Sequence, residues 1–148
     1  MKSPSSNPKI KRQRQVIIGG GLILISFLLF ISFVSYLTNW KEDYSSLNSF
    51  FDRSVEVQNI LSKTGLFISH LFIYHGVGLA SFIIIYLLII SGFKLFFDKK
   101  NNALVVKWSW GILHIIWFTI ATGYFIPSKP LYSGIIGYEI NKFLIDYI

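Results

Sequence analysis

Residues 11–26 read KRQRQVIIGGGLILIS: five polar residues, three of them cations, then a short apolar step, three glycines, and apolar chain again. A phosphate loop, a secretory leader and the start of a membrane helix are all candidates. From Val16 to Leu37 the chain runs 22 residues without a formal charge. At about 1.5 Å per residue that is roughly 33 Å of helix, enough for a hydrocarbon core of about 30 Å. A leader peptide has an apolar run of about 7–15 residues and then a small-residue cleavage site. Here the run is too long, and Phe33-Val34-Ser35-Tyr36-Leu37 offers no such site. A phosphate loop needs a lysine right after its last glycine, yet none follows Gly19, Gly20 or Gly21 until Lys41. The stretch is therefore the mouth of a membrane helix, with Gly19, Gly20 and Gly21 as positions where another backbone can come close.

Composition agrees. Of 148 residues 53% are apolar and 14% charged, with a mean hydropathy of +0.55, whereas soluble domains carry about 25% charge. No cysteine is present, which excludes disulfides, thiolate zinc sites and iron–sulfur ligation.

Outward from the first span, residues 1–15 read as a solvated, disordered basic tail. Spans are expected at 16–37, 73–95 and 105–126, the first ending near Tyr36 and Trp40, as interfacial aromatics do. Residues 39–64 form a polar outer loop in which Ser54 is a plausible N-cap for a short surface helix carrying Val57, Ile60 and Leu61, ended by Gly65. An interfacial turn is expected at 66–72. Pro127 and Pro130 close the third span, and 127–148 is an amphipathic segment with Ile136, Ile140, Phe143, Leu144 and Tyr147 at helical spacing. The whole of 16–148 reads as one all-α, multi-pass membrane domain. Gly76-x-x-x-Ala80 and Thr119-x-x-x-Gly123 are small-residue pairs suited to helix packing.

Charge predicts orientation. Nine of the fourteen Lys and Arg lie in residues 1–15 or at the second turn, among them Lys9, Lys11, Arg12, Arg14, Lys94, Lys99, Lys100 and Lys107, against one acid there, Asp98. The 39–64 loop holds three cations against four acids. The positive-inside rule then puts the N-terminus in the cytoplasm. The net charge of +7 follows from topology rather than from nucleic-acid binding, since the tail lacks interleaved aromatics.

Three histidines raise haem and metal binding. His75 sits near the outer end of its span and His114 about nine residues into the next, roughly 15 Å apart along the membrane normal, too far for one iron. His70 and His75, five apart, would point to different faces of an α-helix. No metal, cofactor or catalytic residue is expected, and His114 is expected to make a polar contact inside the bundle.

The segment Gly65-Leu-Phe-Ile-Ser-His-Leu-Phe-Ile-Tyr74 parallels Gly137-Tyr-Glu-Ile-Asn-Lys-Phe-Leu-Ile-Asp146. Both open on glycine and keep isoleucine fourth and ninth. The first leads into a span, so the second is expected to lead into a fourth, and the chain to be a fragment or a shortened gene product.

The basic tail and glycine-led first helix, Ser32-Phe-Val-Ser-Tyr36 with Trp40, Asp43 and Ser45, Ser69-His-Leu-Phe-Ile-Tyr74, Gly78-x-Ala80-Ser-Phe82 and Gly134-x-x-Gly137-Tyr-Glu139 follow one another with characteristic loop lengths. In that order they resemble the N-terminal four-helix membrane domain of the FtsK/SpoIIIE DNA translocases in its Bacteroidota form. The resemblance implies a septal inner-membrane anchor that oligomerises and tethers a hexameric ATP-driven motor during chromosome segregation. The 39–64 loop would meet division or envelope proteins. No Walker motif or DNA-reading winged helix lies in this sequence, so motor activity does not transfer, and DNA would be reached only through downstream domains. A small transporter or channel subunit and a membrane redox subunit are the alternatives.

Overall fold

The computed structural model describes residues 8–46, 57–98, 103–127 and 129–147. Those residues are helical with short connections. Helix α1 spans Pro8–Ser46, 39 residues. It begins inside the stretch expected to be a disordered tail, because Pro8 suits the first helical position and Lys, Arg and Gln are good helix formers. It also has a partner: the Arg12 guanidinium donates to the carbonyls of Phe96 at 2.8 Å and Leu95 at 3.4 Å, at the negative end of a later helix. At about 58 Å, α1 is longer than a hydrocarbon core is thick.

The chain then returns toward the middle of α1. Val57 to Asn59 are not helical, and the expected cap Ser54 lies outside the described residues. Helix α2, Ser62–Ser69, runs without interruption into a π-helical stretch, His70–Val77. The expected turn at 66–72 is absent. Gly65 does not end a helix but lies buried within α2, as do Leu66 and Ser69. The break falls later, at Gly76 and Gly78, followed by a single 3-10 turn, Gly78–Ala80, and helix α3, Ser81–Phe96. Helix α4 spans Ala103–Phe125, close to the expected 105–126, and ends ahead of Pro127. Helix α5 spans Pro130–Tyr147, with non-helical backbone at Gly134.

Among the described residues three stretches are long and apolar enough to cross a membrane: Pro8–Lys41, Ser62–Phe96 and Ala103–Phe125. Close contacts fix their directions. Gly19 meets Gly92, and Phe30 and Phe33 meet Phe82 edge-on, so α3 runs antiparallel to α1. Leu87 meets Gly111 and Trp108 donates to Ser91, so α4 runs antiparallel to α3.

Polarity is arranged for lipid. Phe33, Tyr36, Leu66, Ile73, Ile85 and Leu131 form the core. Around it, small polar residues are buried: Ser26, Ser32, Ser69, Ser81, Thr119 and Ser133. Large apolar residues such as Val105, Trp117 and Phe125 face outward. In a bilayer apolar burial no longer separates inside from outside, so close packing and interhelical hydrogen bonds hold the bundle.

Candidate functional site

Two helices, α2 and α5, run alongside their predecessors. Helix α2 lies along α1: Leu61, Gly65 and Ile68 flank Leu28, Leu29 and Ser32, and further on His70 meets Tyr36. The chain segment that makes this possible is tied by one asparagine. Asn59 Nδ2 donates to the Ser32 carbonyl at 3.0 Å, and its Oδ1 accepts from Leu61 N–H at 3.1 Å and from the Ser32 hydroxyl at 3.3 Å. Ser35 accepts from Ile60 N–H at 3.1 Å. Ser32 and Ser69 share a 2.8 Å hydrogen bond. Irregular backbone at membrane depth is tolerated only where its polar groups find partners, and here side chains of α1 supply them.

Helix α5 lies along α4 in the same manner. Gly137 packs on Thr119, where an added Cβ would lie 2.6 Å from the Thr119 carbonyl oxygen. Asn141 Nδ2 donates to Ile120 O at 2.9 Å and to Gly137 O at 2.8 Å. The two units match residue for residue with the sequence repeat: Gly65 and Gly137 each face a hydroxyl-bearing residue of the preceding helix, and four residues later Ser69 and Asn141 each hydrogen-bond that helix. Three residues before each glycine stands a positive φ, 57° at Ser62 and 66° at Gly134. The weak repeat is thus a repeat of structure as well.

The units meet where their backbones are irregular. Gly76 has φ −90° and ψ −126°, Gly78 φ 65° and ψ −137°, and Gly134 φ 66° and ψ 173°. An added Cβ on Gly78 would strike the Tyr132 carbonyl, and one on Gly134 the Gly76 carbonyl. Thr119 donates to Val77 O at 3.1 Å and Ser81 to Phe72 O at 2.6 Å, so carbonyls around the break are met by hydroxyls. Strained backbone of this kind concentrates at functional positions. The arrangement offers hydroxyls, amides and carbonyls, which can pack, hinge or hold neutral groups.

The π-helical stretch changes the histidine geometry. Its wider turn brings residues five apart together, and the His70 and His75 rings lie 4.8 Å apart rather than on different faces. His70 also stacks on Tyr74 at 4.9 Å. Among the described residues no group of three His, Asp or Glu could hold a metal. His114 is exposed and donates to Trp110 O of its own helix at 2.6 Å rather than to a neighbouring helix among the described residues.

The small residues singled out in the sequence separate sharply. Gly19 makes a close approach: a Cβ there would lie 2.6 Å from Phe96 N and 2.8 Å from Gly92 O. Gly20 meets the Phe96 ring at 3.8 Å, and Gly21 has nothing within 4 Å. Thr119 and Gly123 pack on α5. Gly76 and Ala80 do not form one helical stripe, because the helix breaks between them. Sequence patterns missed Asn59, Gly92 and Gly111, and gave Gly78, Gly134 and Asn141, which stand in the quoted motifs, no packing role. Of the cations, Arg12 caps α3, Lys107 is exposed, and Lys94 has a shielded Nζ without a hydrogen-bond partner among the described residues. Lys99 and Lys100 lie outside the described residues.

No curated protein and no solved structure matches the chain. One family model does match, over residues 11–148, and its description is the 4TM region of DNA translocase FtsK/SpoIIIE. The match takes in both parallel-helix units, the polar seam around Asn59 and the Gly78–Gly134 crossing, and the chain belongs to the family of FtsK/SpoIIIE membrane regions.

Proposed function

We propose that this membrane domain anchors and oligomerises a cell-division DNA translocase, holding its motor at the septum, and performs no catalysis itself. The family match over residues 11–148 carries the proposal. The seam supports it: its groups are neutral hydroxyls, amides and glycines, suited to fixing helices rather than to proton transfer. The basic N-terminal turns and the Lys94–Lys107 corner would lie in the cytoplasm, on the side where a motor must hang. The connection after α1 would then face the envelope and its division proteins.

A fluorescent fusion of residues 1–148 in dividing cells, paired with cross-linking in isolated membranes, tests this. Enrichment at the division plane and a discrete cross-linked oligomer are expected. Uniform membrane fluorescence with a monomer at all cross-linker concentrations would overturn both parts.

A further inference from the structure

A groove of about 540 Å³ opens on the outer surface between α3 and α4. Its walls are Ile83, Tyr86 and Leu87 on one side and Val106, Trp110 and Gly111 on the other. Tyr86, Val106 and Trp110 are each more than half exposed. Along α4 the lining runs from Ala103 to His114, about 16 Å at 1.5 Å per residue. That is half of a hydrocarbon core of about 30 Å, the reach of one leaflet.

The groove is apolar along its length and cationic at one end. Lys107 lines that end. Lys94 lies two helical turns beyond Leu87, and the antiparallel contacts of Leu87 with Gly111 and Ser91 with Trp108 set it level with residues 104–105. Its ammonium is shielded and has no hydrogen-bond partner among the described residues. A buried charge is screened less by salt and is costly to leave uncompensated. In the sequence Lys99 and Lys100 follow closely.

We propose that this groove binds one anionic phospholipid of the leaflet on the basic side, an acyl chain between α3 and α4 and the phosphate at Lys107 over the Lys94 charge. The length fits one leaflet, and the charge lies where the headgroup of such a lipid would sit. Two lysines at that end favour a headgroup of net negative charge over a zwitterionic one, and a second protein helix would be expected to run the full membrane thickness instead of half. The inference needs only a membrane-embedded chain and stands whether or not the domain anchors a motor.

Native mass spectrometry of the full chain released from nanodiscs of equal dioleoylphosphatidylglycerol and dioleoylphosphatidylcholine reads the bound lipid. Retained phosphatidylglycerol is expected to exceed phosphatidylcholine at least tenfold. Lys94→Gln with Lys107→Gln should abolish that preference, Lys94→Arg with Lys107→Arg should keep it, and Val106→Trp should displace both lipids. Lys142→Gln, on α5 and outside the groove, should change nothing. Because the double charge variant could fail to fold, Lys107→Gln alone, at an exposed position, serves as the second variant and should lower the preference severalfold. Equal retention of the two lipids overturns the proposal, as does indifference to Lys107→Gln and Val106→Trp. A photo-cross-linker at residue 106 that captures a second copy of the chain in place of lipid also overturns it.

Discussion

Gly134, like Gly78, is a position where the fold is sensitive to a single methyl group. Its φ of 66° and ψ of 173° lie in a region that L-residues with a side chain avoid, at about 1–3 kcal/mol for the backbone alone. An alanine Cβ would also meet the Gly76 carbonyl group, with Gly78 N at 2.7 Å. These are backbone atoms that cannot rotate away, and overpacking of this kind costs about 1–3 kcal/mol. Gly134→Ala should therefore lose roughly 2–6 kcal/mol, each 1.4 kcal/mol being about tenfold in the folding equilibrium. Gly21→Ala is the control, since nothing lies within 4 Å of its added Cβ in mid-helix. It should gain up to about 1 kcal/mol from helix propensity. The assay is reversible unfolding of the purified chain in mixed micelles by added dodecyl sulfate, followed by far-ultraviolet circular dichroism. Gly78→Ala and Gly134→Ala act on one contact, so the double variant should cost less than the two singles added, by about 0.5–3 kcal/mol. If Gly134→Ala unfolds at the same detergent fraction as the parent while Gly21→Ala behaves as stated, the two irregular segments do not touch as described and the reasoning fails.

Asn59→Ala removes a donor to Ser32 O and the acceptor for Leu61 N–H, and should cost about 1–3 kcal/mol in the same titration because buried partners are left unpaired. Asn141→Leu removes two donations to carbonyls; interhelical bonds in membranes average about 0.6 kcal/mol, so its loss should be the smaller, and the reverse ranking would contradict the role of Asn59 in tying the chain to Ser32. Gly111→Leu should push α3 from α4, since even a Cβ would lie 2.5 Å from Leu87 Cδ1; a loss of about 1–3 kcal/mol is expected, and an unchanged midpoint would show the α3–α4 contact to be loose. The native chain lacks cysteine, so single cysteines at Asn48 and Asn101 report sidedness: an impermeant maleimide added to intact spheroplasts should label the first and spare the second, and the opposite pattern would reverse the orientation.

What the sequence makes legible is what depends on apolar run length. The first and third spans, the proline stop after α4 and the all-helical class follow from counting residues against bilayer thickness. The second span does not, because its break needs knowledge of a distant partner. Gly76-x-x-x-Ala80 looks like a packing stripe only if the helix continues through it. Gly78 can leave the helix because Tyr132 and Gly134 lie against it, and no local pattern encodes that neighbour. The π-helical register is equally hidden, so His70 and His75 seemed to diverge. Asn59 sits in a polar stretch that resembles an ordinary loop, and only contact with Ser32 shows that it folds back into the bundle. The Gly65 and Gly137 repeat was readable, but its meaning required the geometry on α1 and α4.

That geometry explains why a membrane domain of this size carries so many small polar residues. To lay α2 parallel to α1, the chain leaves α1 at Ser46 and returns to Ser32, about 21 Å back along the helix axis. To lay α5 parallel to α4, it returns from Phe125 to Thr119, about 9 Å. Where each return packs back into the bundle, at 57–61 and at 126–132, its backbone donors and acceptors need partners. In the longer return, Ser35 and Asn59 meet them, accepting from Ile60 N–H and Leu61 N–H. In the shorter one, local turns do, with Lys129 N–H on Ile126 O at 3.2 Å and Tyr132 N–H on Lys129 O at 3.1 Å. Both detours end at the same place, where Gly78 and Gly134 press backbone against backbone. A displacement of α5 relative to α4 must move that contact, and through Val77 and the break it must move α2 against α3. The two halves are joined at this crossing and along the α3–α4 contact, where Leu87 meets Gly111 and Trp108 donates to Ser91.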